Sequence, residues 1–169
     1  MKKSKLNPIS KSPARQANLV CNSMYSEIIH WLFRDMCAVC GHVHTDEKPN
    51  DPHHLVHRSK DKKVEHEILN GILLCRHGCH PKAEKDADWL KGWLDIQLPL
   101  HHQWLIDYRW VQGKIDYDHV KQGLRHWQEA ISMGRVPPIQ PVWQLDEVAS
   151  REYMRRSCGL IVPEGVKLI

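Results

Sequence analysis

The sequence predicts an α+β protein, with a small core of short strands stapled by cysteines, flanking α-helices and a mainly helical C-terminal extension. Three observations predict it. Two close cysteine pairs, Cys37/Cys40 and Cys75/Cys79, bracket a polar, His-rich segment that holds only two short apolar runs. A helical period of apolar residues precedes that segment and resumes after it. The 169 residues are 41% hydrophobic and 26% charged, a globular composition that excludes a fibrous or largely disordered chain.

The net charge of +4 is unevenly placed. Lys2, Lys3, Lys5, Lys11 and Arg15 all precede Glu27, the first acidic residue, and without these five the chain has 19 basic residues against 20 acidic ones. Residues 1–21 are therefore expected to form a basic, disordered arm, either a contact for a polyanion or a solubilising leader. The first residues carry charge without the apolar stretch of a secretory signal. No apolar run approaches the ~20 residues of a membrane span. The expectation is a soluble cytoplasmic protein with no membrane partner.

A helix is expected over residues 23–35, with Tyr25, Ile29, Leu32 and Met36 along one face. Residues 37–80 read as loops and short strands gathered around a metal, with Leu55-Val56 and Ile72-Leu73-Leu74 as the strand candidates. From His80 the pattern turns helical, and Trp89, Leu90, Trp93 and Leu94 form a stripe. Trp104, Leu105, Tyr108 and Val111 suggest a short helix. The clearest helix spans residues 118–133, with Val120, Leu124, Trp127 and Ile131 on one face and Gly134 as its stop. Prolines 137, 138 and 141 then break the chain before a last amphipathic helix expected over 146–157. The aromatic stripes read as helix-packing surfaces rather than base-stacking platforms. The chain divides into an arm (1–21), a cysteine-bearing domain (22–98) and an extension (99–169).

Cys37-Ala38-Val39-Cys40-Gly41 is a knuckle of two thiolates three residues apart, with glycine easing the turn. Cys75-Arg76-His77-Gly78-Cys79 is one residue wider. In a reducing compartment such pairs bind metal rather than form disulfides. Four sulfurs suit one structural Zn²⁺, in a closed site that supplies no chemistry of its own. Cys21 and Cys158 lack close partners and read as free thiols. Between the pairs lies His53-His54. Neighbours on a strand point to opposite faces, so one can hold a metal while the other addresses something else, if a bulge or the strand end lets both reach the cleft. His80, opening a helix directly after Cys79, could add a ligand from the opposite wall.

At these residues, from Cys37 to Asp88, the sequence resembles the HNH endonuclease family, the ββα-metal or His-Me finger nucleases, in its zinc-bearing branch. The pattern, CxxCG, then an acidic residue or His followed by His, then Asn a few residues before CxxCH, reads here as Cys37/Cys40/Gly41, His53-His54, Asn70 and Cys75/Cys79-His80, with Asn70 five residues before Cys75. The basic arm also resembles that of small phage-encoded members. The resemblance implies a ββα-metal core and a metal-dependent DNA endonuclease that hydrolyses phosphodiester bonds by a one-metal mechanism. His54 would be the general base. His53 and His80 would hold one catalytic divalent cation, Mg²⁺ or Mn²⁺ first, with Ni²⁺ or Zn²⁺ compatible with two imidazoles. Asn70 would fix the loop that orients His54.

Three departures accompany this resemblance. The second pair is C-x3-C; His53 stands where Asp is frequent; and Glu84 stands where many relatives carry His. Glu84 either completes a carboxylate-containing metal site or is a solvated acid. DNA contacts are expected from Lys2, Lys3, Lys5, Lys11 and Arg15 of the arm, and from His57, Arg58, Lys60, Lys62 and Lys63. The other histidines, His101 among them, read as surface or helix residues. The alternative is a catalytically inactive, zinc-stabilised module that binds DNA or protein. Residues 99–169 would add DNA specificity, self-association or contact with a protein partner. The resemblance places the protein in the cytoplasm of a bacterial host, encoded by a phage or mobile element.

Overall fold

A computed structural model describes residues 12–109 and 113–139. Among them are five α-helices and one two-stranded antiparallel sheet. The expected arm lysines Lys2, Lys3, Lys5 and Lys11, the helix expected over 146–157 and Cys158 lie outside the described residues.

Helix α1 (Pro13–Leu32) starts ten residues before the apolar period alone suggests. Ser12 caps it by accepting the Arg15 N–H at 3.3 Å, and Pro13 supplies a preset φ in the first turn. Residues 13–21 thus belong to a helix, not to a disordered arm. Tertiary packing decides this, because Cys21 is fully buried and its thiol reaches the Tyr117 carbonyl. The helix ends as Arg34 and Asp35 enter the left-handed region, at φ 53° and 56°.

Strands β1 (Asn50–His54) and β2 (Gly71–Cys75) pair antiparallel, with His53 opposite Ile72 and His54 opposite Gly71. The expected run Leu55-Val56 lies just past β1, which is instead the polar sequence Asn-Asp-Pro-His-His. Pro52 is tolerated here because the bonds Leu55 N–H to Asn70 O and Arg76 N–H to Pro49 O bracket the ladder. Alternation then puts Pro52 and Leu73 at a non-bonded pair. The outward Leu73 carbonyl is taken by the Ala38 N–H at 2.8 Å, which joins the first cysteine knuckle to the sheet.

Helices α2 (Cys79–Lys85), α3 (Ala87–Gln97), α4 (Pro99–Asp107) and α5 (Tyr117–Ser132) follow. Ile72, Leu73 and Leu74 of β2 are fully buried and share one core with Ile28, Ile29 and Leu32 of α1 and Leu90 and Leu94 of α3. Leu124 of α5 joins the same core, and α5 packs along α1. Trp89, Trp93 and Trp127 lie half-buried against it, so these aromatics serve packing. His101, read from the sequence as a surface or helix residue, lies in α4 and on its buried side, 1% exposed, and packs near Phe33 with ring centroids 6.1 Å apart. Among the described residues no helix is long and apolar enough to cross a membrane.

Candidate functional site

The four cysteines converge. The sulfurs of Cys37, Cys40, Cys75 and Cys79 all lie within 4.8 Å of one another, and Cys40 and Cys75 are 3.8 Å apart. A tetrahedron with metal–sulfur bonds of about 2.3 Å has edges of about 3.8 Å, so the cluster can hold a structural metal such as zinc. Gly41 closes the first knuckle at φ 71°, a conformation costly for other residues. The additional residue of the second pair is absorbed at Gly78, where a Cβ would stand 3.0 Å from the Cys75 sulfur, and the Cys79 N–H donates to that sulfur at 3.1 Å. Arg76, in the same turn, grips Asp51 of β1 through two bonds of 2.6 Å.

Burial pushes the Cys37 thiol up to about 11, and burial and the neighbouring Cys37 push Cys79 up as well. At Cys75 burial also pushes upward, but hydrogen bonds from Cys79 and the other thiols outweigh it and lower the pKa. Thiols held this close oppose each other's ionisation, and a bound dication relieves that conflict. The donor set therefore fits the metal.

One strand further along, the adjacent histidines diverge as a strand requires. His53 is buried and faces His80, the second residue of α2, with ring centroids 4.8 Å apart and planes perpendicular. Burial pushes His53 down to about 3, and the neighbouring His80, His54 and His57 add to that, so it is a neutral nitrogen donor at pH 7. Glu84 lies one turn beyond His80, its Oε1 3.6 Å from His80 Nδ1. These three do not converge as the thiols do. Among the described residues, the cysteines are the group of three or more such side chains whose donor atoms meet within 4.8 Å.

His54 turns the other way. Its ring stacks on Tyr25 of α1 at 5.4 Å, tilted 14°, and its Nε2 lies 2.9 Å from the Glu65 carbonyl. A carbonyl only accepts, so Nε2 carries the proton and Nδ1 keeps its lone pair. Burial lowers the His54 pKa, while the Glu65 carbonyl opposes this by favouring the charged form.

Asn70, fully buried, closes the loop between the strands. Its Oδ1 accepts the Val56 N–H at 2.7 Å, and its Nδ2 donates to the Val64 carbonyl at 2.7 Å and the Val56 carbonyl at 3.3 Å. That loop delivers the Glu65 carbonyl to His54. Glu65 is itself anchored, because its carboxylate accepts from Asn18 of α1, whose amide also reaches Tyr117 of α5 at 3.2 Å. His66 meets Asn22 Oδ1 through Nε2 at 2.9 Å. Sequence reasoning missed Asn18, Asn22 and Glu65, and read Tyr25 only as part of a packing face, so that it missed Tyr25 as the partner of His54. The recurrence of Asn18, Asn22 and Tyr25 at helical spacing, polar groups leading into an apolar face, is the signal that could have found these three.

The expected DNA-contacting residues His57, Arg58, Lys60 and Lys62 are exposed, Lys63 is half-buried, and Arg15 is exposed in the first turn of α1. His57 Nδ1 meets the Ser59 hydroxyl at 2.7 Å. Asp61, buried amid these cations, accepts the Lys63 N–H at 3.0 Å and the Tyr108 hydroxyl at 2.7 Å, which fixes the basic segment to the end of α4. Compared with protein-family models, curated proteins and solved structures, the chain shows no match.

Proposed function

We propose that the chain is a metal-dependent DNA endonuclease of the HNH type, with a ββα-metal core formed by β1, β2 and α2 and zinc in the four-cysteine site. The observation that carries this reading is His54, at the end of β1 and held by the Glu65 carbonyl so that its free Nδ1 is a base, next in sequence to the His53 that faces His80. A purely structural zinc module has no need of a tautomer-fixed imidazole at the end of a strand whose preceding histidine faces another.

In this reading His54 Nδ1 takes a proton from water, whose oxygen attacks phosphorus in line as the bond to the 3′ oxygen breaks. A divalent cation, Mg²⁺ or Mn²⁺ first, would be held by His53 and His80 and, when bound, stabilises charge on the phosphate and the departing oxygen. The carbonyl behind His54 favours the imidazolium that forms. Asn70 keeps that carbonyl in place. Arg58, Lys60 and Lys62 supply sequence-independent attraction for the DNA backbone.

The second reading is a zinc-stabilised binding module without catalysis, and the loose His53–His80–Glu84 set favours it. Incubating zinc-loaded protein with supercoiled plasmid and Mg²⁺ or Mn²⁺ separates the two. The nuclease nicks or linearises plasmid only with added metal, and His54→Ala loses this while keeping its zinc. Tight binding without cutting across metals establishes the module instead. Equal cutting by His54→Ala removes His54 from the mechanism.

A further inference from the structure

Beside His53 the fold encloses a cleft of about 500 Å³, between the start of the β1–β2 loop, α2, α3 and α4. That volume lies within the 300–1,000 Å³ of small-ligand sites. Leu55, Leu90, Leu94 and Leu105 give it apolar walls, and the Tyr108 ring lines it. That ring is held at both ends. Its hydroxyl donates to the buried Asp61 at 2.7 Å, and Trp104 lies against it at 5.7 Å between centroids. Two exposed cations, Lys60 and Lys91, line the same cleft; Lys91 lies 3.8 Å from Asp88, whose side chain is 96% exposed and holds it weakly.

We infer that this cleft receives one unstacked nucleobase of a single-stranded or frayed DNA segment, with Lys60 and Lys91 on the flanking phosphates. An apolar cleft of this size with a fixed aromatic ring suits a base face, which stacks without regard to sequence. Two ammonium groups at an apolar slot match the anionic backbone on either side of a single base, a charge pattern that an apolar peptide side chain does not present. The cleft opens on His53, so a base seated there brings its own phosphate to the His53–His80 pair. The inference rests on the reading that DNA comes to that pair, and it narrows the substrate to DNA with an unpaired base.

The experiment compares two fluorescein-labelled 12-nucleotide single strands, one natural and one with an abasic backbone, for binding to zinc-loaded protein without Mg²⁺ or Mn²⁺. Base capture predicts that the abasic strand binds about tenfold more weakly. Ala87→Trp plugs the cleft from an exposed position opening α3, and it should bring the natural strand down to the abasic level. Tyr108→Ala should do the same and Tyr108→Phe, which keeps the ring, much less. A strand carrying 5-iodouracil should crosslink to Tyr108 under ultraviolet light. Equal affinity for natural and abasic strands, or an unchanged affinity in both Ala87→Trp and Tyr108→Ala, overturns the base site and leaves the nuclease reading to the plasmid assay. Failure to bind either strand overturns the base site, and plasmid left uncut in the same preparation overturns the nuclease as well. An apolar peptide that competes while DNA does not would assign the cleft to a protein partner and overturn the proposal.

Discussion

Asn70 receives the Val56 N–H on its side-chain oxygen at 2.7 Å and returns a bond from its amide to the Val64 carbonyl at 2.7 Å. One buried side chain therefore stands in for the ladder that the chain abandons after β1. The position of the Glu65 carbonyl, and with it the tautomer of His54, depends on this closure.

Asn70→Ala leaves a buried N–H and a buried carbonyl without these bonds and should cost about 2–4 kcal/mol. Chemical denaturation measures it. Asn70→Asp keeps the shape but turns a carboxylate toward two carbonyls, so it should be destabilised at pH 7 and partly recover toward pH 4, where the acid is protonated and can donate. Its stability should thus fall as pH rises through the carboxyl range. A fully stable Asn70→Ala protein would remove the clamp from the account.

Gly71, opposite His54 in the sheet, has no room for a methyl group. An added Cβ would meet the Tyr25 hydroxyl first, then Ile29 Cδ1 at 2.8 Å. Gly71→Ala should cost about 1–3 kcal/mol through overpacking. The Tyr25 hydroxyl is buried with no hydrogen-bond partner among the described residues, so Tyr25→Phe alone should be neutral or slightly stabilising. Combined with Gly71→Ala, it should recover part of the loss, because it removes the nearest obstacle. Thermal melts of the four proteins test this, and additive single effects would show that the two residues do not couple.

The four-cysteine site should carry folding energy as well as metal. Cys40→Ser removes one donor from the exposed edge of the cluster and should lower zinc content and leave residues 37–80 poorly ordered. A strong chelator should do the same to the wild type, reversibly on adding Zn²⁺. Metal content by mass spectrometry with amide exchange reads both effects. Full protection of the Ala38 amide, which donates to the Leu73 carbonyl, without zinc would separate the fold from the metal.

Acid should destabilise this protein before its carboxylates titrate. Burial pushes His101 down to about 4 against a weaker pull from the Gly71 backbone, and burial with His54 and Lys62 nearby pushes His66 down to about 4. Both pKa values lie below the unfolded value of about 6.5, so between the two the unfolded chain binds more protons. Their contribution is whole above pH 6.5 and is lost as pH falls from there toward 4, on the order of 1–3 kcal/mol each. Neither ring nitrogen of His101 makes a hydrogen bond of ordinary geometry with described residues. His101→Leu should therefore gain stability over wild type at pH 5 and less at pH 7.5. An identical pH dependence in both proteins would exclude His101 as a source.

Periodicity alone located α3 and α5, because a stripe of tryptophan and leucine every three or four residues has a single structural use. The cysteine pairs showed themselves by spacing, since thiols so close in sequence reach one metal without help from the rest of the chain. The start of α1 and the course of β1 were not legible in this way. Residues 13–21 become helical because Cys21 is buried on α5, about a hundred residues away, and Asn-Asp-Pro-His-His becomes a strand because β2 offers it partners and Asn50 clamps the knuckle to the carbonyls of Asp35 and His42. The sequence by itself determined which residue types stand near the metal knuckles: two adjacent histidines, an asparagine, and a histidine opening a helix. Only the tertiary structure decided what each one faces. His54 meets the Glu65 carbonyl and Tyr25, and His53 meets His80. Those partners arrive from other elements, and hydrogen-bond direction and burial act over a few ångströms of space rather than a few residues of chain.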